Sequence, residues 1–581
     1  MMRIMLAATS GFLMGAAAMA MIPSDRPRKA QNLPKMIAYS AQPNAYFNER
    51  ADDVSKLYDG FFFVVGSWDE DVAARLGLAS DARPATEWKE RVRENLRNLR
   101  QAGATENLLG IHFAESAPWP SPETLLSEDY TAKFQRHFAA IGRAAKELGF
   151  RGVSIDVEYP YLRYSLDHKI YTYKGYTSDD LLAAASEQGR IAMSALLDEF
   201  PGAVVFVLPG DLWGRPIGRT FVLSMLKVMA ERDAPGGFHL GYERAYCLLD
   251  PVSQVAIPRV GDCAASLLLD AKTLRYWKRR CSVAPGVWPL HMVETGGEGY
   301  PVRPWAEELA ELGQQMEILR SVAKRYIWSF SGQPVWYLCT PELEQKYGLT
   351  KQAFEGADEA IAGWHRILAE KKKTADPGIK KLISAVRSFD SGKGDCVELC
   401  SRFGTPADWL VLGPLGNPFT HPEFSAPGAI FRPIRFDEPI HGRDGVVRWF
   451  VFRSREPTGS VSLRAAFDWR ATDDCSAHLV SEISAPKRVR CYMWIGWDDG
   501  VAVWINDKMV FDHRTYPKRG HGMLFRDRYL FEERVPVVIP KGKSRLAVTS
   551  INSHGVWGFA IRFTDKDGFP LEGLTFSLPT P

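Results

Sequence analysis

The stretch FRGVSIDVEYPY, Phe150 to Tyr161, decides how the first half of this chain is read. Val153, Ile155 and Val157 alternate with Gly152, Ser154, Asp156 and Glu158. Strand side chains point alternately to opposite faces, so three β-branched residues share one face and a serine and two carboxylates share the other. Two acids on one side of a buried strand are costly unless that side opens on a cavity or a partner.

The neighbouring sequence supplies the setting. Similar short apolar runs occur at KMIAYS (35–40), GFFFVVGSW (60–68), NLLGIHFAE (107–115), GVSIDVEY (152–159), AVVFVLPG (203–210), GFHLGYE (237–243), VWPLHMVE (287–294) and YIWSFSG (326–332). Between most of them lie amphipathic stretches with apolar residues at helical spacing, such as YTAKFQRHFAAIGRAAKELG. Eight strands alternating with helices predict an α/β fold, a (β/α)8 TIM barrel over residues 35–372. The competing open doubly wound sheet usually carries fewer strands and a glycine-rich nucleotide turn, which this sequence lacks. In a barrel the functional site lies at the C-terminal strand ends. Gly152, Ser154 and Asp156 are then expected to face the interior, with Glu158 at the rim and the three β-branched residues packed outward.

Beyond the barrel, ILAEKKKTADPGIKKLISAV carries a lysine run and a Pro-Gly pair. It reads as a solvated hinge over 373–394. From 395 to 581 the pattern becomes nine short strand-like runs separated by turn residues, which predicts an all-β jelly-roll sandwich domain. Within it, WINDKMVF reads as a tight hairpin with Asn506 and Asp507 at positive φ.

The 581 residues are 46% hydrophobic and 24% charged, with a net charge of +3. No long basic run points to nucleic acid or to a membrane surface. The N-terminal MMRIMLAATSGFLMGAAAMAM has one arginine, an apolar run and an Ala-Met-Ala end. That is the pattern of a signal peptide over 1–20, cut after Ala20 and followed by a linker over 21–34. The expected protein is secreted or periplasmic, with no integral membrane span after cleavage. Eight cysteines are scattered, without Cys-x-x-Cys pairs or accompanying histidines, so no metal site is expected. Disulfides fit the compartment, but spacing does not say which cysteines pair.

On the acidic face of the fourth strand, a protonated Glu beside an ionised Asp is what a general acid requires near neutral pH. Glu158 is the candidate proton donor and Asp156 its partner. The plainer alternative pairs these acids with Arg151 or Arg163. GVSIDVEYP resembles the fourth-strand motif of family 18 glycoside hydrolases, Asp-Gly-x-Asp-x-Asp-x-Glu followed by Tyr-Pro. Gly152, Asp156, Glu158, Tyr159 and Pro160 match it, while Arg151 and Ser154 stand where the first and second Asp belong. The family's third-strand Ser-x-Gly-Gly is replaced by GIHFAES. LGYE, with Tyr242 and Glu243, is similar to the family's sixth-strand Met-x-Tyr-Asp, and Trp328 to the tryptophan that floors its sugar pocket. The resemblance implies Glu158 as acid, the substrate's N-acetyl group as nucleophile positioned by Asp156 and Tyr242, and Trp328 as stacking platform.

A second arrangement uses Glu294, expected at the end of the seventh strand. Double displacement needs two carboxyl groups about 5–5.5 Å apart, a separation Glu158 and Glu294 would have to reach across the barrel. The alternative for Glu294 is a loop acid pairing with Arg303 or a helix N-terminus. Other polar residues expected near strand ends are Tyr39, Trp68, His112, Glu115, Asp211, Trp213, His239 and His291, with His112 and His291 the candidates for sugar-hydroxyl contacts. A lone strand histidine is more often a satisfied core residue than a catalyst.

In the C-terminal half, DWLVLGPLGNP, WIGWDDGVAVWINDKMVFDHR and INSHGVWGFAIRFTD resemble galactose-binding-like or PA14-like modules appended to secreted bacterial glycoside hydrolases. No cofactor is expected except a structural calcium at the Asp498-Asp499-Gly500 turn, whose acids otherwise cap a loop. Trp497, Trp504 and Trp557 are candidates for glycan stacking or for the sandwich interior. The combined expectation is a secreted glycoside hydrolase acting on a polysaccharide or glycan. Its rival is a catalytically inactive glycan-binding or scaffold protein, favoured by the departures at Arg151 and Ser154.

Overall fold

The structure, a computed structural model, describes residues 33–41, 43–67, 83–112, 122–157, 176–210, 212, 216–246, 248, 250–289, 303–330, 357–467, 473–514, 531 and 533–579. Eight strands close into one parallel barrel: β1 (Lys35–Ala41), β2 (Gly60–Ser67), β3 (Leu108–His112), β4 (Gly152–Asp156), β5 (Val204–Leu208), β6 (Phe238–Tyr242), β7 (Ser282–Val287) and β8 (Tyr326–Ser329). β8 returns to β1 through the pairs Lys35 with Tyr326 and Ile37 with Trp328.

The longer connecting helices among the described residues are α1 (Arg83–Ala102), α2 (Glu128–Leu148), α3 (Ser178–Glu199), α4 (Pro216–Glu231), α5 (Pro251–Leu268), α6 (Ala271–Arg280) and α7 (Trp305–Val322), with α8 (Ala357–Glu370) after β8. Their ends are written in the sequence. The Ser127 hydroxyl accepts from the Tyr130 amide at the start of α2, and Thr177 and Asp180 cap α3 reciprocally. α2 stops at Gly149, whose φ of 86° favours glycine and where a Cβ would press on the Arg100 guanidinium.

Alternation sorts the strand residues into two layers. Val153, Ile155 and Val157 join the large cluster between strands and helices. Ile37, Phe62, Leu108, Val204, Phe206, Leu208, Ala284, Tyr326 and Trp328 form a separate cluster that fills the barrel. The seventh strand is a correction: the expected 287–294 is replaced by Ser282–Val287. Its Pro285 and Gly286 make the sequence a poor strand candidate. The barrel nevertheless needs the glycine, because a Cβ at Gly286 would lie 2.5 Å from the Tyr246 ring and 3.0 Å from Trp328.

The segment expected as a hinge is also corrected. Lys371, Lys372 and Lys373 are exposed, but Pro377–Asp390 forms helix α9, capped by Asp376. α9 buries Ile379, Leu382, Ile383 and Val386 in one cluster with Val252 and Val255 of α5 and with Leu399 and Phe403 at helix α10 (Cys396–Arg402).

The C-terminal region is a two-sheet antiparallel sandwich. Its strands are β9 (Asp408–Gly416), β10 (Ile440–Gly442), β11 (Gly445–Val447), β12 (Trp449–Arg453), β13 (Ser460–Ser462), β14 (Cys475–Ala485), β15 (Val489–Trp497), β16 (Gly500–Ile505), β17 (Lys508–His513), β18 (Glu533–Ile539), β19 (Gly542–Asn552), β20 (Gly558–Thr564) and β21 (Thr575–Ser577). One sheet runs β12-β9-β14-β19-β16-β17, with β21 also on β14, and the other β13-β20-β15-β18; β10 and β11 form a small ribbon. From β12 to β21 the chain changes sheet at every step except β16 to β17, the alternation of a jelly roll with an added hairpin. In that hairpin Asn506 has φ 54° and Ile505 pairs with Lys508.

Residues 34–581 form one compact unit. Arg562 of β20 donates to Asp250 Oδ1 at 2.6 Å, to Ser253 Oγ at 2.7 Å and to the Thr458 carbonyl at 3.0 Å. Arg244, just beyond β6, bonds to Ser460 Oγ at 3.0 Å and approaches the buried Glu456 at 3.6 Å. Phe531 and Ala560 join the barrel's outer core. The sandwich is thus attached at the C-terminal end of β6.

Candidate active site at the barrel mouth

The inward-facing residues pass from apolar to polar along the strands. Near the N-terminal end, His239 is fully buried, with Nδ1 2.9 Å from Ser282 Oγ and its ring against Tyr326. Burial holds its imidazole well below the ordinary histidine range, so it is a neutral core residue. Tyr326 in turn donates to Glu106 Oε2 at 2.8 Å. This end is sealed.

The other end is different. Asp156 closes β4 in register with His112 of β3 and Leu208 of β5. It is half-buried and accepts a hydrogen bond from the Tyr39 hydroxyl at 3.2 Å. Ser154, one step deeper, is buried beside Gly110, where a Cβ would come within 3.2 Å of the serine oxygen and 3.1 Å of Val64. Around Asp156 and Tyr39 stands an aromatic wall. Tyr39 packs on Phe330 with ring centres 5.6 Å apart, Tyr246 on Trp288 at 5.5 Å, and Trp288 on Phe330 at 5.0 Å. All four rings are half-buried. Beneath them Trp328 is 1% exposed and donates Nε1–H to the Ala284 carbonyl at 3.1 Å.

The structure brings together Tyr39, Asp156 and Trp328 of the expected site residues. Trp328, expected as a stacking platform, is the floor under Tyr39 and Tyr246 and offers no open face. Tyr242 is a further correction. It packs with Phe238 and Leu240 in the outer layer, while Gly241 faces in, where a Cβ would collide with Leu208 and Phe206. The alternation that put Asp156 inside puts Tyr242 outside. Glu243 begins the half-buried turn Glu243–Tyr246. His112 ends β3 opposite Asp156. Glu158, Asp211, His291 and Glu294 lie outside the described residues, as do Trp68, Glu115 and Trp213. β7 ends at Val287.

Sequence reasoning missed Tyr246, Trp288 and Phe330. Phe330 continues the period-two series Tyr326, Trp328, and Trp288 continues Ser282, Ala284, Gly286 once the strand is placed correctly. Tyr246 sits on a short 3-10 turn and has no periodic signal. Arg244, on that turn, is clamped by Glu456 and Ser460 of the sandwich, so the accessory region helps hold one wall of the mouth.

In the sandwich, Trp497, Trp504 and Trp557 are all buried, and the Trp557 ring stacks on Phe467 at 5.2 Å. Asp499 Oδ2 accepts from the Ser553 amide and hydroxyl, both at 2.6 Å, as a loop-capping acid does. Among the described residues no group of three or more His, Cys, Asp or Glu is arranged to hold a metal. No described helix is long and apolar enough to cross a membrane. A surface groove of about 270 Å³, lined by Leu197, Asp198, Pro201, Arg232, Ala234 and Pro235, lies at the opposite end of the barrel from Asp156.

No protein-family model matches the chain. No curated protein matches it in sequence. Among solved structures, a D-allulose 3-epimerase from Methylomonas sp. is 13% identical with a TM-score of 0.30, covering 59% of this chain and 98% of its own. The exo-β-1,4-mannosidase Op5Man5 from Opitutaceae bacterium strain TAV5 is 12% identical with a TM-score of 0.33, covering 58% and 60%. A GH18 chitinase from Pseudoalteromonas aurantia is 11% identical with a TM-score of 0.31, covering 58% and 99%. An epimerase, a mannosidase and a chitinase perform different reactions, and likeness at this level says nothing of what this chain does.

Proposed function

We propose that the protein is an exported glycoside hydrolase acting on a polysaccharide or glycan, with Glu158 as general acid and Asp156 as its partner. The observation that carries the reading is a half-buried carboxylate, Asp156, held by the Tyr39 hydroxyl inside a wall of aromatic rings at the C-terminal end of the barrel. Aromatic faces suit the C–H faces of sugars, and a few convergent polar groups fix orientation. Glu158 follows Asp156 by two positions in the chain. In this reading its proton passes to the glycosidic oxygen as the bond breaks, and the Asp156 carboxylate stabilises the positive charge that develops on the sugar.

The test is release of reducing sugar from a broad panel of polysaccharides. Glu158→Gln is expected to abolish turnover, a loss of more than about 1000-fold, while glycan binding persists. A thiazoline that mimics the acetamido intermediate inhibits the substrate-assisted route; loss of activity in a Glu294 variant points instead to double displacement. One observation favours a second reading. Ser154 replaces an acid of the family pattern and is buried beside Gly110, so a glycan-binding barrel without turnover is the alternative. Binding with no sugar released from any substrate in the panel decides for it.

A further inference from the structure

The short turn that carries Tyr246 into the mouth is held from three sides. A 3-10 turn of four residues, Glu243–Tyr246, has too few internal bonds to fix its own position. On the barrel side, the Ala245 carbonyl accepts from the buried amides of Gln254 on α5 and Gln315 on α7, at 3.4 and 3.2 Å. Toward the mouth, the Tyr246 ring packs on Trp288, Trp328 and Phe330, with ring centres 5.5, 5.5 and 6.0 Å away. On the third side Arg244 reaches the sandwich. It donates to Ser460 Oγ at 3.0 Å and lies 3.6 Å from Glu456 Oε1, with its side chain 10% exposed.

The sandwich segment that receives Arg244 is itself fixed. The Thr458 hydroxyl donates to Glu456 Oε1 at 2.7 Å, and the Gly459 amide to the Glu456 carbonyl at 2.9 Å. The Ile561 amide of β20 donates to the Gly459 carbonyl at 3.0 Å. Arg562, also on β20, bonds at once to the Thr458 carbonyl, to Asp250 Oδ1 and to Ser253 Oγ at the start of α5. Residues 456–460 therefore grip both ends of the connection from β6 to α5: the turn directly, and the α5 N-terminus through Arg562.

We propose that Glu456 and Ser460 are positioning residues of the barrel mouth. By holding Arg244 they set where Tyr246 stands, so the sandwich acts on the glycan through that ring. The proposal rests on the reading of the mouth as a glycan site. Removing one member of a buried ion pair strands the other's charge in surroundings that solvate it poorly. Without Glu456 the largely covered Arg244 guanidinium loses this countercharge, and turning it toward water moves the main chain two residues before Tyr246. Gln254 and Gln315 restrain only the Ala245 carbonyl, so the ring is free to leave Trp288.

The test uses the full chain, unsubstituted and as Glu456→Ala, Glu456→Gln and Arg244→Ala. Hydrogen exchange by mass spectrometry is read at peptides covering 243–246 and, as a control, at β5. In Glu456→Ala and Arg244→Ala, exchange at the turn is expected to quicken about tenfold, with β5 unchanged. The near-ultraviolet circular dichroism of the Tyr246–Trp288 contact is expected to weaken with it. Glu456→Gln keeps an acceptor for Arg244 and Thr458 and is expected to restore both signals. Calorimetric titration uses N-acetylchitohexaose as the probe. Glu456→Ala is expected to bind it about tenfold more weakly, with no further loss when Tyr246→Ala is added, because both act through one ring. Unchanged exchange at the turn in Glu456→Ala overturns the proposal. So does faster exchange with unchanged affinity, or losses from Glu456→Ala and Tyr246→Ala that simply add. If the unsubstituted protein does not bind the probe, that counts against the glycan reading, and exchange and dichroism alone decide whether the sandwich positions Tyr246. Where Glu456→Ala fails to fold, Ser460→Ala removes one hydrogen bond and is expected to quicken exchange at the turn about threefold; no change there overturns the proposal.

Discussion

The barrel and the sandwich both bury tryptophans, but the two interiors end differently. In the sandwich, Trp409, Trp449, Trp497, Trp504 and Trp557 are all covered, and half-buried Trp494 packs near Phe531, on the side that meets the barrel. Two of its buried side chains have internal partners: Trp557 Nε1–H donates to Ser550 Oγ at 3.0 Å, and His478 is held between the Thr549 hydroxyl and the Ser425 and Ala426 carbonyls. In the barrel, the fully buried Trp328 gives way upward to four half-buried rings and a half-buried carboxylate. Among the described residues the barrel interior thus ends in partly exposed rings and a carboxylate, whereas these sandwich tryptophans are covered.

That contrast can be broken or sharpened. The largest effect is expected in the sandwich: Trp557→Ala removes a ring stacked on Phe467 and costs about 3–5 kcal/mol in urea unfolding, yet leaves glycan affinity of the folded fraction intact. A loss of affinity there would mean that the sandwich also binds glycan. Next is a pH effect. Burial holds His478 at about 4, against an ordinary 6.5. The unfolded chain takes up a proton that the folded one refuses. This contribution is therefore full above pH 6.5 and drains away toward pH 4, by about 3 kcal/mol. Comparing His478→Asn with the unsubstituted protein from pH 7 to 4 should show a flatter stability profile in the variant. At the mouth, Asp156→Asn should lower kcat about 100-fold, near 2.7 kcal/mol, with binding retained; equal loss of binding and rate would make Asp156 a simple contact. The smallest effect is Trp288→Ala, with about a tenfold loss of glycan affinity and less destabilisation than Trp557→Ala.

How much of this was legible can be seen strand by strand. The alternation in β4 correctly sent Val153, Ile155 and Val157 to the helices and Asp156 to the interior, because period-two sorting needs only local geometry. The same rule applied to β6 places Tyr242 outside; the family resemblance pulled the reading the other way. β7 was misplaced because Pro285 and Gly286 are locally unfavourable, and the need for glycine at 286 arises from Tyr246 on a turn and Trp328 on β8, which crowd that spot. The expected hinge hid helix α9, whose apolar face is meaningful only against α5 and α10.

By itself the sequence determined the fold class, the division into an α/β half and a β half, and the face of β4 that carries Asp156, since each follows from residue periodicity along one segment. Only the tertiary structure decided which aromatics line the mouth, that Trp328 lies beneath them, and that Arg244 is clamped by the sandwich. These contacts join residues distant in the chain, and nothing in a local pattern records which distant surfaces will close upon each other.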